Sequence, residues 1–237
     1  MRLDKYVSTA LGISRNDARQ LIKKGEIKLE LKTNIKNDNN INEINDIVYY
    51  NNKRLEYLKF VYLMLNKPQG YLSATYDKTE KTVLDLVPEY NGYHLSMVGR
   101  LDKDTEGLLL LTNDGKLLHK LTTPKKDIYK KYYVEVDGVF NNEDIKVFEN
   151  GMELHDAADV TYVTKKAILE IIEKNKAYVS ISEGKYHQVK KMCLKVGKEV
   201  TYLKRVAMGD LKLDETLELG KYRLLTYEEI EYLKNIK

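Results

Sequence analysis

The stretch that most constrains this chain is Gly99 to Gly115, GRLDKDTEGLLLLTNDG. Arg100, Asp102, Lys103, Asp104 and Glu106 crowd a loop that runs into four leucines, Leu108 to Leu111, with no polar break. A short continuous apolar run bounded by turn residues marks a buried strand. Asn113-Asp114-Gly115 closes it with residues that tolerate a tight turn. The pattern predicts a charged loop anchored directly to the core, the kind of place where chemistry concentrates.

Asp102, Asp104, Glu106 and Gly107 also fall at the first, third, fifth and sixth places of a calcium-binding loop. The twelfth place, which needs a bidentate Glu, is Asn113, and leucines fill the places between. No other His, Cys or carboxylate cluster has metal-ligand spacing, so no metal site is expected. The single cysteine, Cys193, excludes an intrachain disulfide and suits a reducing compartment. No apolar run approaches the roughly 20 residues of a membrane helix. Arg2, Asp4 and Lys5 leave no signal-peptide core, so the expectation is a cytoplasmic protein without a membrane partner.

Charge is unevenly spread. Residues 1–36 hold nine basic and four acidic side chains, a surplus of five in a chain whose net charge is +4. Such segregation points to a nucleic-acid-binding module ahead of a near-neutral second domain. Leu3, Tyr6, Val7, Ala10 and Leu11 recur at helical spacing. Ser14 then caps a second helix, with Asp17 three residues on, an apolar face of Ala18, Leu21 and Ile22, and Gly25 as its stop. Arg15, Arg19, Lys23 and Lys24 fall off that face as candidate RNA contacts. Glu26 to Leu31 alternates as a strand. An Asn-rich stretch from Asn34 to Asn52 reads as the irregular end of the first domain, with a linker near Lys53–Leu58. The expected division is 1–56 and 57–237.

The second part opens with an apolar strand, Phe60–Leu65, and a turn, Asn66-Lys67-Pro68-Gln69-Gly70. Thr82 is expected to cap a short helix through Val87, and a helix follows from Gly115 to Leu121. Tyr129 to Val136 alternates as a strand ahead of Asp137-Gly138. A helix over Asn141 to Asn150 and strands near Val160–Thr164, Ala167–Ile172 and Tyr178–Ser182 follow. EGKYHQVKKM, Glu183 to Met192, turns into a helix with an inner stripe of Val189, Met192, Cys193 and Val196. Val200 to Arg205 reads as a last inner strand, and Thr226-x-x-Glu229 as the capping box of a final helix. His187 has no ligand partner at metal spacing and is assigned a hydrogen-bonding role.

GRLDKDTEG resembles the signature of the pseudouridine synthases that modify ribosomal RNA, in which an Arg-Leu-Asp triplet carries the catalytic carboxylate. That resemblance implies Asp102 as the catalytic residue and places Arg100 beside the substrate. The Lys-Pro-x-Gly turn at Lys67 occurs in the same family at this distance, which puts Lys67 among candidate substrate-binding residues. Aligning Lys130-x-Tyr132-x-Val134 with the family strand selects Tyr132, over Tyr133, as the tyrosine stacked on the target uracil. EGKYHQVKKM is similar to the third family motif, where one basic residue, here Lys190, pairs with the catalytic Asp, and His187 lies beside the RNA. SRNDARQLIKKGEIKL resembles an S4-type RNA-binding domain, although Glu30-Leu31 stands where that family has an Asn-Gly turn.

Together the motifs resemble the RsuA-type family. The implied fold is α+β, a small N-terminal RNA-binding domain and a larger domain with a mixed, mostly antiparallel sheet flanked by helices. The implied activity is uridine-to-pseudouridine isomerisation without a cofactor, by a monomer acting on ribosomal RNA or a pre-ribosomal small-subunit particle. YLMLNKPQGYLSAT and EGKYHQVKKM look closer to small-subunit (16S rRNA) enzymes than to large-subunit ones. The same chemistry on large-subunit rRNA, or a catalytically silent RNA-binding assembly protein, are the competing readings.

Overall fold

The computed structural model describes residues 1–30, 35–123, 127–156 and 158–236. The N-terminal part packs α1 (Leu3–Leu11) and α2 (Arg15–Lys23) against a three-stranded antiparallel sheet of β1 (Ile27–Leu29), β2 (Val48–Tyr50) and β3 (Lys53–Leu55). Ser14 caps α2 as expected, its Oγ accepting from the Asp17 N–H at 3.1 Å. The expected linker near Lys53–Leu58 starts too early, because Lys53–Leu55 pairs with β2 and closes the small sheet. Of the unusual Glu30-Leu31 turn, Leu31 lies outside the described residues.

A charge-centred clamp holds this part together. The Asp4 side chain is 0% exposed, yet it accepts hydrogen bonds from Arg2 (3.0 and 3.2 Å), Arg15 (2.7 Å) and Arg19 (3.0 Å). Burial alone would raise the Asp4 carboxyl, but the three guanidiniums outweigh it and hold it well below the usual carboxylate range. Arg15 and Arg19, expected only as RNA contacts, therefore have a structural role. The three arginine side chains nevertheless remain nearly half exposed.

The larger part is built on a nine-stranded mixed sheet. Its main order is β10 (Ile168–Glu173), β11 (Lys176–Ile181), β7 (Lys130–Asp137), β12 (Glu199–Met208), β6 (Glu106–Thr112), β4 (Tyr62–Lys67) and β14 (Tyr222–Leu224). Short strands β5 (Ser96–Met97) and β13 (Leu211–Lys212) attach to β6 and β12. Only the β12–β6 pair is parallel; the other described pairs of the sheet are antiparallel. Strands β8 (Glu153–His155) and β9 (Thr161–Val163) form a separate hairpin. Helices α4 (Asn142–Asn150) and α5 (Gln188–Lys195) pack with one layer of the core, and α3 (Gly115–Thr122) and α6 (Tyr227–Asn235) with the other.

The leucine run follows from this layering. Leu109 and Leu111 enter the core with Leu63 and Leu65, while Leu108 and Leu110 enter the second with Tyr62 and Met64. A central strand covered on both faces has no solvent side, so the usual alternation disappears. The helix expected over Thr82–Val87 is only a 3-10 turn, Val83–Leu86, carrying the Thr82–Asp85 capping box and followed at once by Pro88.

The two parts touch through α1 and the 3-10 turn at Pro88–Tyr93. Tyr57 stacks on Tyr93 at 6.0 Å and meets Tyr6 at 5.1 Å. A Cβ on Gly92 would lie 2.3 Å from the Thr9 carbonyl oxygen, so only glycine permits this approach.

Asp4→Asn should cost the N-terminal part about 3 kcal/mol, because it strands three converging cations. Since the folded-state pKa of Asp4 is depressed, its stabilisation is present above about pH 4 and is lost as pH falls below that. Amide exchange of residues 3–23 at neutral and acid pH checks both statements. Acid-induced loosening in the wild type should be missing from the variant.

Candidate active site

The Asp102 loop is held from beneath by the turn after β4. Lys67 is 0% exposed, and its Nζ donates to the carbonyl oxygens of Thr105 (2.9 Å), Asp102 (3.0 Å), Pro68 (3.1 Å) and Lys103 (3.2 Å). Burial pushes its ammonium down to about 8, although the carboxylates of Asp104, Asp102 and Glu106 oppose the shift. Ser73 adds a second tie, donating to the Leu101 carbonyl at 2.7 Å and accepting from the Leu101 N–H at 3.0 Å. The Gly70 N–H reaches the Lys103 carbonyl at 2.8 Å. Lys67 is therefore a positioning residue and not the substrate contact expected of it, because its only charged atom is consumed by the loop.

On this support Asp102, Arg100, Tyr132, His187 and Lys190 line one small cavity of about 60 Å³. They come from three pieces of chain: the loop before β6 (Arg100, Asp102), strand β7 (Tyr132) and the start of α5 (His187, Lys190). Tyr132 stands on β7, 7% exposed, while Tyr133 points to the opposite sheet face and donates to Glu135 at 2.7 Å. A cleft of about 570 Å³ on that opposite face, with Tyr133, Tyr178 and Tyr202, contains none of these residues.

His187 caps α5 in the left-handed region (φ 52°), which turns its ring toward the loop. Its Nε2 lies 3.6 Å from Asp102 Oδ1, and its ring stacks on Tyr186 at 3.8 Å. Lys190, one turn into α5, is shared between two carboxylates. Its Nζ lies 2.5 Å from Asp104 Oδ1 and 3.7 Å from Asp102 Oδ2. The expected Lys190–Asp102 pair is present as the longer arm of a bridge whose short arm is Asp104. Burial would raise the Asp104 carboxyl, but Lys190 outweighs it and holds it below its ordinary value.

Residues 61–195 match the RNA pseudouridylate synthase family, and residues 1–30 match the S4 domain. The chain belongs to the RNA pseudouridylate synthase family. It is 42% identical to an uncharacterized RNA pseudouridine synthase of Bacillus subtilis, with 98% of each chain covered. It is 37% identical to ribosomal small subunit pseudouridine synthase A of Escherichia coli, covering 97% of this chain and 98% of the relative. A crystal structure of a pseudouridylate synthase superposes with TM-score 0.69 at 35% identity, over 98% of this chain and 99% of the other. The chain is thus a pseudouridine synthase with an N-terminal S4 domain.

Three features of the synthase site escaped sequence reading. Thr105 lines the cavity with a buried hydroxyl that has no hydrogen-bond partner among the described residues. Asp104 carries the short arm to Lys190. Arg205 is 2% exposed beside Tyr132, where an ordinary strand end was expected. The signal for Arg205 was its parity: it shares the inward-facing set of β12 with Leu203, ahead of the bulge that shifts the register before Ala207. Arg15, Arg19, Lys23 and Lys24 lie on the separate N-terminal part. Among the described residues no group of three His, Cys, Asp or Glu side chains is arranged to hold a metal, and no helix is long and apolar enough to cross a membrane.

Lys67→Met should leave RNA affinity nearly intact and lower turnover about 100-fold, since misplacing a reacting group by about 1 Å costs that much. In the wild type, turnover should decline as pH rises past about 8, where Lys67 loses the proton that grips the loop. Global stability should move the other way. Between pH 8 and about 10.4 the unfolded chain binds the extra proton, so the Lys67 contribution to stability rises. Single-turnover rates and thermal melts across this range test the divergence.

Proposed function

We propose that this synthase isomerises one uridine in small-subunit ribosomal RNA to pseudouridine, with Asp102 as the catalytic residue. The observation that carries the reading is the meeting of Asp102, Tyr132 and Lys190 in one cavity from three separate elements. The small-subunit assignment draws support from the relative in Escherichia coli and from the fine sequence of the first and third motifs.

The reaction breaks the bond from ribose to the uracil nitrogen, turns the base and joins its fifth carbon to the same sugar carbon. The fifth carbon gives up its proton to solvent and the released ring nitrogen takes one up, so composition is unchanged and no cofactor enters the balance. Positive character develops on the sugar, which the Asp102 carboxylate answers. The uridine leaves its stack at a cost of a few kcal/mol, and stacking on Tyr132 returns about 1–3 kcal/mol. Lys190 bridges Asp102 to Asp104 and, with His187, fixes the direction of the carboxylate. Arg100, at the mouth of the same cavity, meets the RNA backbone. In the N-terminal part, Lys23, Lys24 and the exposed faces of Arg15 and Arg19 supply phosphate contacts that position without reading sequence. The enzyme acts in the cytoplasm, as a monomer on rRNA or a pre-ribosomal particle.

Asp102→Asn keeps the side-chain shape and removes its charge. RNA affinity should survive, and tritium release from the fifth carbon of labelled uridine should fall to background. Release by the variant would remove Asp102 from the mechanism. Wild-type protein should modify one uridine of small-subunit rRNA and leave large-subunit rRNA untouched; the opposite pattern would transfer the assignment to the large subunit.

A further inference from the structure

Next to the catalytic cavity, and sharing Arg100, Tyr132, Gly184 and Lys185 with it, opens a larger one of about 320 Å³. Its floor is Arg205, which pairs across the sheet with Tyr132, so both side chains stand on the same face. The Arg205 Nε donates to the Leu108 carbonyl at 2.7 Å, and this is the only hydrogen bond or ion pair of the guanidinium among the described residues. A buried guanidinium without a carboxylate is costly, since a buried charge needs a compensating partner.

Lys130 lies two residues before Tyr132 on β7 and lines the same space. Its Nζ finds only two long carbonyl contacts, Ile128 at 3.3 Å and Glu183 at 3.4 Å. Burial lowers its pKa first, and the neighbouring Arg205 charge adds to that. The two carboxylates of the wall are already engaged. Asp127 pairs with Lys165, and Glu183 Oε1 accepts from Gln188 at 2.6 Å and from the Lys165 N–H at 2.9 Å. Two adjacent cations thus face a nucleotide-sized cavity whose two carboxylates, Glu183 and Asp127, oppose the lowering of Lys130 only in part and are already hydrogen-bonded or paired elsewhere.

We propose that this cavity is a phosphate subsite in which Arg205 and Lys130 grip a phosphodiester directly attached to the flipped uridine. The inference deepens the proposed reaction and rests on that reading for the identity of the nucleotide. Arg205, tied at Nε, presents its remaining donors in a fixed fork suited to phosphate oxygens. Lys130 adds a point charge. The grip would fix the ribose relative to Asp102 from the phosphate side, while Tyr132 fixes the base.

Calorimetric titration of the full-length protein with uridine, uridine 3′-monophosphate and uridine 5′-monophosphate tests the subsite. The wild type should bind one monophosphate about tenfold or more tighter than uridine, the gain of charge-assisted hydrogen bonds. Which isomer gains identifies the side of the nucleotide that is held. Lys130→Met and Arg205→Gln should each abolish that advantage while uridine affinity stays the same, and Asp102→Asn should retain it. If Arg205→Gln proves unfolded by circular dichroism, Lys130→Met alone decides. Equal or undetectable binding of nucleoside and nucleotides by the wild type, or an advantage that survives the variants, overturns the subsite. A phosphate advantage that depends on both cations in a protein that releases no tritium from rRNA would instead sink only the proposed reaction.

Discussion

The cage of four carbonyls around Lys67 Nζ is the contact on which the site depends. A loop carrying Arg100, Asp102, Lys103, Asp104 and Glu106 has no reason to hold one shape in water, because its side chains are solvated and its backbone can hydrogen-bond to solvent. Lys67 supplies the missing constraint from within the core. One buried ammonium draws three successive parts of the loop, at Asp102, Lys103 and Thr105, toward one point. Each carbonyl is thereby satisfied without water, as buried backbone groups must be. The lysine reaches that point because β4 pairs with β6 through Lys67↔Gly107, at the very base of the loop.

Gly107 completes the constraint from the other side. It stands at φ 101°, and a Cβ there would lie 2.2 Å from the Arg205 carbonyl oxygen. The parallel pairing of β6 with β12 at Arg205↔Gly107 therefore needs glycine at this position. One residue thus lets β4, β6 and β12 meet below Asp102. The sheet, the loop and the neighbouring cavity form a single mechanical unit, which is why chemistry can rest on a loop that is otherwise all charge.

Much of this was legible in the sequence, and the exceptions have physical causes. Leu108 to Leu111 announced a strand buried on both faces, and Ser14 and Thr226 announced two helix starts, because each signal is local. Strands β2, β3 and β14 were missed because three-residue segments carry too little pattern to reveal a partner distant in sequence. Asp102, Tyr132 and Lys190, picked out through motif resemblance, line one cavity. Lys67 was legible as a motif residue but misread in role, since nothing local distinguishes a lysine reaching for phosphate from one reaching for carbonyls. Asp4 is the same lesson with the sign reversed: an ordinary acidic residue of a first helical turn became the buried centre of three arginines only after α1 and α2 packed.

Three of the chain's buried cations show how such a charge can be answered, and the comparison separates architecture from ligand chemistry. Lys198 is answered by a carboxylate, Asp144 Oδ1 at 2.9 Å, with the Val196 carbonyl at the same distance; this pair staples α4 to the end of α5. Lys67 is answered by four carbonyls, which return less Coulomb energy than a carboxylate but more directional control, as befits a residue that shapes a loop. Among the described residues Arg205 is answered by one carbonyl, at one of its three nitrogens. For Lys198 and Lys67 the protein supplies several acceptors to the ammonium, so both are hydrogen-bonded without a ligand. Arg205 is as deeply buried and is left incomplete beside Tyr132, which lines one cavity with Asp102. A fold able to satisfy two buried cations fully has left the third short at the one place where a phosphorylated substrate arrives, and that asymmetry is what ties Arg205 to binding rather than to packing.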